Sequence, residues 1–273
     1  MIHPSAIIDP RASIEVSVEI GPLSIIDGDV SLDAGCVVGP HVHITGHTRI
    51  GKGNRFHTGC VIGDAPQDLR YQGEPTRLII GDHNVFREYT TLHRSNSMKE
   101  DTVVGSHNFF MANSHVGHNA VVGDHVILAN GALIAGHVSL GDRAFISGNC
   151  LIHQFVRVGT LALMQGGSAI SKDLLPFTIA RGQNATCGLN IVGLRRAGFS
   201  SEDRLALKLA YRLLQRGHKR SSLKQRIELA ESQCAGDAVR IMIEFAKQSR
   251  RGLCADYSQT NHGDPAGDDT DQG

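Results

Sequence analysis

This 273-residue chain has no tryptophan, only 5% aromatic residues, no net charge and no apolar run of about eighteen residues. Without such a run no transmembrane helix can form. The Met1 end also lacks the charged-then-apolar pattern of a signal peptide, so the chain reads as soluble and cytosolic. Closely spaced cysteines are missing too. The six, at 36, 60, 150, 187, 234 and 254, include no C-x-x-C pair, which argues against disulfides in a reducing compartment and against a cysteine metal site. The zero net charge conceals an asymmetry, because residues 195–251 carry 14 Lys and Arg against 6 Asp and Glu, and the remainder 13 against 21. A basic segment on an acidic body predicts an acidic partner for that segment.

What the chain does have is a period of six. From Ile2 an apolar residue returns at Ile8, Ile14, Ile20, Ile26, Leu32, Val38, Ile44, Ile50, Phe56 and Ile62. It resumes in phase at Ile80, Phe86 and Leu92, and again from Val104 to Ile170. A helix with this period would let its apolar stripe wander around the surface, and a flat strand would alternate every second residue. A solenoid fits, each hexad forming a short strand and a corner, with the sixth-position side chain pointing into a shared core. Small residues, Cys36, Cys60 and Cys150 among them, usually sit four positions after the apolar one, where they line the inside of the turn. Gly, Asp and Asn are frequent one or two residues after it, and glycine accepts the positive φ that sharp corners need. The pattern resembles the hexapeptide-repeat family, which implies an all-β left-handed parallel β-helix with three hexads per coil.

Residues 64–78 and 94–102 carry polar residues, Pro and Gly where the apolar residue is due, so they are predicted to leave the prism as loops, where binding residues tend to lie. The repeat ends at Ile170, Asp173-Leu-Leu-Pro176 closes it, and a Gly- and Asn-rich linker covers 181–188. A helical period follows, with Ser200 as N-cap, Asp203 at the capping-box position, apolar residues at Leu205, Leu209, Leu213 and Leu214, and Gly217 as the stop. Two further helices are predicted at about 221–234 and 237–251, the second capped by Asp237. The expected organisation is a β-helix over 1–188, an α-helical domain over 189–254 and a disordered tail over 255–273.

His57, His93, His115, His118, His137 and His153 ride on strand and corner positions. Residues about eighteen apart stack on such a prism, so His118, His137 and His153, separated by nineteen and sixteen, should cluster along one edge. Two chemistries compete for them. Zinc would need three neutral imidazoles converging on one point, whereas a general base needs a single imidazole within reach of a hydroxyl.

Five segments sharpen the choice: Gly63 to Arg77, with Gln-Asp-Leu-Arg-Tyr and Gly-Glu-Pro-Thr-Arg; Ser-His-Val-Gly-His at 114–118; Ala-Gly-His-Val at 135–138; Ile-His-Gln-Phe at 152–155; and Gly-Leu-Arg-Arg-Ala-Gly-Phe-Ser at 193–200. Together they resemble the family of UDP-N-acetylglucosamine 3-O-acyltransferases, up to about Gly252. The resemblance implies acyl transfer from an acyl carrier protein to the sugar 3-hydroxyl in lipid A synthesis, by a homotrimer with sites between adjacent prisms. It implies no cofactor, metal or nucleic acid, and makes the basic helices the dock for the acidic carrier protein. His118 matches the family's general base and the Gly136 N–H its oxyanion donor. Asp68, Arg70, His115 and His137 match acceptor-pocket positions, and His153, Gln154, Asn190 and Arg196 match positions toward the nucleotide and diphosphate. The acyl-length ruler falls at Gly166, where a glycine implies a long 3-hydroxyacyl donor.

The chain departs from the family pattern at Arg70 for Lys, Ser95-Asn96 for Gly-Thr, Asn119 for Asp and Ala197 for a second Arg. Those changes leave open a 3-amino sugar nucleotide, which some relatives acylate. A zinc-dependent carbonic anhydrase and a non-catalytic solenoid are the other readings of the scaffold.

Overall fold

In the computed structural model, which describes residues 1–216 and 221–257, the six-residue period becomes a left-handed parallel β-helix of three faces. Each hexad supplies one strand, mostly of two residues, and a tight corner. In chain order the first face begins with Ile7–Ile8, the second with Ser13–Ile14 and the third with Glu19–Ile20, and they hold nine, eight and eleven strands. The second residue of each pair points inward because that is where the period places its apolar side chain. Register follows directly: Ile7 faces Ile25, eighteen residues on.

The two excursions keep this register. Val61 pairs with Thr91, thirty residues on, and Thr91 with His115, twenty-four on, so twelve and then six extra residues leave the coil and return in phase. The first excursion is shorter than 64–78, because strands occupy Val61–Asp64 and Arg77–Ile80 and Leu78 is fully buried. The second spans 94–101, between Thr91–His93 and Thr102–Val104.

A continuous apolar column fills the prism, with Cys36, Cys60 and Cys150 fully buried in it. Phe56, Phe86 and Phe110 stack through its middle at centroid spacings of 4.9 and 4.8 Å. Glycines take positive φ at some corners as expected, among them Gly35, Gly53, Gly59, Gly131 and Gly167, but fifteen non-glycine residues among those described do so as well, including Asn113, Asn119, His137 and Phe155. Each costs roughly 1 kcal/mol of backbone strain, offset in part by stacking between coils, as where His83, His107 and His125 lie 5.2 and 5.0 Å apart.

The third face continues beyond the repeat with Thr178–Ala180, and the segment expected to be a linker turns back as an antiparallel strand, Ala185–Leu189. Four helices follow: α1 (Ile191–Arg196), α2 (Ser201–Arg216), α3 (Leu223–Gln233) and α4 (Asp237–Lys247). Helix α1 was not expected. Ser200 and Asp203 exchange the capping hydrogen bonds at 3.0 Å, as predicted for α2, whereas its predicted stop at Gly217 lies outside the described residues. The buried face of α2 is Leu207, Ala210, Tyr211 and Leu214, with Leu213 packed beside it as expected, while Leu205 and Leu209 face outward, so the first half of the expected apolar stripe is out of phase. Asp237 is the first residue of α4 rather than its cap, which is Gly236. The tail does not begin at 255. Ala255–Asp256 pairs with Ala185–Leu189, and Asp256 is buried and accepts a hydrogen bond from Tyr211 at 3.0 Å. The remainder of that expected tail, 258–273, lies outside the described residues.

Candidate active site

The corner between the first and second faces brings the histidines together, because successive coils stack the residues that end or follow their first-face strands one above another along that edge. His118 and His137 meet edge to face at 5.1 Å, and His93 and His115 do the same at 4.9 Å. His137 stacks on Phe155 at 4.6 Å, so the predicted column passes through Phe155, and His153 stands beside it on the first-face side. His118 and His93 are buried, with His118 only 7% exposed. His57 lies elsewhere, paired with Glu88 at 3.7 Å.

His118 rests directly on Gly136. A β-carbon added there would lie 2.6 Å from the His118 Cε1 and 2.7 Å from its Nε2, closer than real atoms pack, so this coil needs a glycine for the imidazole to reach its position. The neighbouring Ala135 and His137 N–H groups are spent on the ladder, bonded to Ile152 and His118 carbonyls at 3.1 and 2.9 Å. The Gly136 N–H is outside that ladder among the described residues, as the turn geometry requires.

A cavity of about 560 Å³ opens beside this pair and runs along the first face, lined by His93, His115, His118, Gly136, His153 and Gln154. Its floor is apolar, since Leu133 and Leu151 point outward and are nearly half exposed, followed by Ala169 and, at the far end, Gln183 and Asn184. Around the corner a second cavity of about 420 Å³ is lined by Asp68, Arg70, Tyr71, Asn96, His137 and Phe155. Gln67 reaches into the first, so the first excursion straddles the edge on which His118 sits. Arg94 holds it there: its guanidinium donates to the Gly63 carbonyl at 2.7 Å and to the Tyr71 hydroxyl at 3.1 Å.

The electrostatics keep most of the cluster neutral. Burial, then the neighbouring imidazoles of His93 and His118, pulls His115 from the usual 6.5 down to about 4. Burial also lowers His93 and His137, although Asp64 and Glu100 respectively oppose it. The Arg70 side chain, then its backbone N–H, then Asn96, hold the Asp68 carboxyl well below the usual carboxylate range. Zinc would need three converging ligands, and among the described residues no three His, Cys, Asp or Glu side chains are so arranged.

Three predicted residues stand apart. Asn190 caps α1, its Oδ1 accepting from Gly193 N at 2.9 Å while its Nδ2 donates to the Leu161 carbonyl at 2.9 Å. That places Asn190 at the corner between the second and third faces, a different edge of the prism from His118, and Arg196 is exposed at the C-terminal end of the six-residue helix that starts there. Gly166 lies at the corner preceding Ala169–Ile170, exposed and outside both cavities, with only the Gly148 carbonyl within 4 Å of an added β-carbon. Sequence reasoning missed Arg251, which donates to the Ser171 carbonyl at 2.9 Å and lies 3.4 Å from the His153 Nδ1. No periodic signal marks a residue that returns to the site from 98 positions away.

Comparison with known proteins agrees with this geometry. Residues 173–254 match the family model described as UDP N-acetylglucosamine O-acyltransferase, domain 2, and residues 101–136 match the bacterial transferase hexapeptide model of six repeats. The chain is 53% identical to the acyl-[acyl-carrier-protein]–UDP-N-acetylglucosamine O-acyltransferase of Akkermansia muciniphila, over 93% of this chain and 98% of that one. It is 44% identical to the protein of the same name from Halorhodospira halophila, over 92% and 98%. Among solved structures, the UDP-N-acetylglucosamine acyltransferase of Francisella novicida superposes with a TM-score of 0.88 at 33% identity, covering 94% and 95% of the two chains. The enzyme from Bacteroides fragilis gives 0.88 at 38%, covering 93% and 99%.

Proposed function

The chain belongs to the acyl-[acyl-carrier-protein]–UDP-N-acetylglucosamine O-acyltransferase family, and on that premise we propose how its residues divide the work. The reaction moves an acyl chain from acyl carrier protein to UDP-N-acetylglucosamine, a step of lipid A biosynthesis. The observation that carries the assignment is the seating of His118 on Gly136 at the mouth of the long cavity.

His118 Nε2 takes the proton from the sugar 3-hydroxyl as that oxygen attacks the thioester carbonyl. Negative charge develops on the carbonyl oxygen, which the Gly136 N–H receives. Collapse of the tetrahedral intermediate expels the carrier-protein thiolate, and the His118 imidazolium returns the proton to it. His115, His137 and His93 stay neutral and do not compete for that proton. Asp68 and Arg70 hold the acceptor from the excursion side. His153 and Gln154 line the wall on which its nucleotide end lies.

The outward Leu133 and Leu151 give the acyl chain an apolar track. Gly166 lies outside the long cavity, at the corner preceding Ala169–Ile170, and a long 3-hydroxyacyl donor that runs beyond the cavity would meet no side chain there. Gly166→Met should then move donor preference several carbons shorter. Arg196 ends a helix that starts from another edge of the prism than His118, which fits a part in a neighbour's site. That supports a homotrimer with sites between adjacent prisms, in which Asn190 acts by capping and aiming α1. Helix α2 presents the exposed Leu205 and Leu209 among Lys208 and Arg212, a surface suited to an acidic carrier protein. No described helix is long and apolar enough to cross a membrane, and these substrates place the enzyme in the cytoplasm.

The test is acyl transfer from a series of 3-hydroxyacyl carrier proteins to UDP-N-acetylglucosamine and to its 3-amino analogue. Wild type should transfer a long chain and His118→Ala should lose about 10³-fold or more. Activity of His118→Ala near wild type would remove the base from this account.

A further inference from the structure

Three of the four places at which the chain departs from the family pattern, all but Ala197, are not independent in space. Asn119 follows the base, Ser95 and Asn96 begin the second excursion, and Arg70 lies in the first. One chain of hydrogen bonds joins them. His118 Nδ1 lies 2.9 Å from Asn119 Oδ1, Asn96 N donates to that same Oδ1 at 3.0 Å, and Asn96 Nδ2 donates to Asp68 Oδ2 at 2.7 Å. Asp68 completes the chain in an ion pair with Arg70 at 3.0 Å.

The directions of these bonds are fixed by chemistry. A backbone N–H can only donate, so the Asn119 atom that receives Asn96 N is the oxygen. Asn119 Nδ2 donates to Ser95 Oγ at 2.8 Å. That hydroxyl gives its own hydrogen to the Ser97 carbonyl at 2.9 Å, so toward Asn119 it can only accept. The oxygen facing His118 therefore leaves one tautomer, with the hydrogen on Nδ1 and the lone pair on Nε2, the atom seated over Gly136. A carboxylate at 119 would instead draw the Ser95 hydrogen to its second oxygen, at the cost of the bond to the Ser97 carbonyl, which the amide leaves intact.

We propose that Asn119 and Asn96 are positioning residues for this reaction: Asn119 fixes the tautomer and aim of His118 without charge, and Asn96 hooks that arrangement to Asp68 on the acceptor loop. The inference rests on the reading of His118 as the base. Where a carboxylate would stabilise the imidazolium as an ion pair, the amide only orients it, and the same Asn96 residue sets both the base and the acceptor loop. Groups that face His118 include the imidazoles of His93, His115 and His137. Behind these stand Asp64 and Arg94 beside His93, and Asp68, Arg70 and Glu100 beside His137.

The experiment is the pH profile of kcat/KM, with separate KM values for the 3-hydroxyacyl carrier protein and UDP-N-acetylglucosamine, on the full-length enzyme and its variants. Asn119→Asp adds a carboxylate against Nδ1 and should move the acid limb upward by about one pH unit. Asn119 has φ 57°, so Asn119→Gly removes the amide without straining the corner and should lower kcat about 10²-fold with no upward shift. Asn96→Ala keeps the backbone N–H to Asn119 but frees Asp68, and should raise KM for the sugar nucleotide about tenfold while leaving KM for the carrier protein unchanged. A wild-type rate in His118→Ala would overturn the base assignment itself. With His118→Ala inactive, an acid limb unmoved in Asn119→Asp, a wild-type kcat in Asn119→Gly, or an equal rise of both KM values in Asn96→Ala would overturn the positioning pair alone.

Discussion

At the scale of single residues, the site depends on close approach more than on charge. Gly136→Ala is expected to leave the coil folded but push the imidazole off its seat, lowering kcat by about 10²–10³-fold with little change in melting temperature. Wild-type turnover in that variant would show that His118 does not need the seat. The buried imidazoles also set the acid limit of stability. His115 titrates near 6.5 when unfolded and near 4 when folded, so between those values the unfolded chain binds a proton that the folded one does not. Its contribution to stability is complete above about pH 6.5 and declines as pH falls toward 4, by up to about 3 kcal/mol. His93 and His137 are shifted in the same direction. Melting curves from pH 7.5 to 4.5 should fall steeply for wild type and less steeply for His115→Gln. His118, His115 and Gly136 were legible in the sequence because they sit in short motifs at fixed positions of the repeat. The tautomer of His118 was not, since it is set through Asn119 by Asn96 and Ser95, 23 and 24 positions before Asn119 in the chain.

At the scale of elements, the excursions are the part of the fold that the period could locate but not shape. Their phase is kept because the strands on either side must stay in register, so twelve and six extra residues are tolerated only as loops. What the loops do is decided by contacts between them. Arg94, from the second, donates to Tyr71 in the first and to the Gly63 carbonyl beneath it. Arg94→Ala should therefore leave the prism intact, raise KM for UDP-N-acetylglucosamine about tenfold, and expose residues 65–76 to proteolysis. Equal protease resistance in wild type and variant would show that the loop is held by other means. Helix α1 escaped notice because six residues hold too little periodicity to read. The α2 stripe was read out of phase because its leucines outnumber its smaller buried residues, and only packing against the prism end tells the two faces apart.

At the scale of the whole molecule, the proposed site draws on groups from different parts of the prism. His118 stands on one edge and α1, which ends at Arg196, starts from another, so the proposed sites between neighbouring copies would take one from each. Co-expressed His118→Ala and Arg196→Ala chains, each inactive alone, should then recover about a quarter of wild-type activity, because random assembly rebuilds one site in four. No recovery would place the complete site within a single chain. Carrier-protein affinity should weaken as salt rises from 50 to 500 mM, about the range over which surface charges are screened, and Lys208→Glu should flatten that dependence.

The sequence by itself determined the solenoid, because a period of six admits few other ways to bury one residue in six, and the family resemblance supplied the three-hexad coil and with it the stacking of the histidines. The sequence also placed the two excursions and the basic helices, through breaks in that period and in charge. Tertiary structure alone decided which of the stacked groups touch. The Phe155 contact of His137, the return of Arg251 to His153 and the capping role of Asn190 arise from distances between coils and domains. A linear pattern fixes heights along the prism, and only the folded chain fixes which edge each side chain reaches.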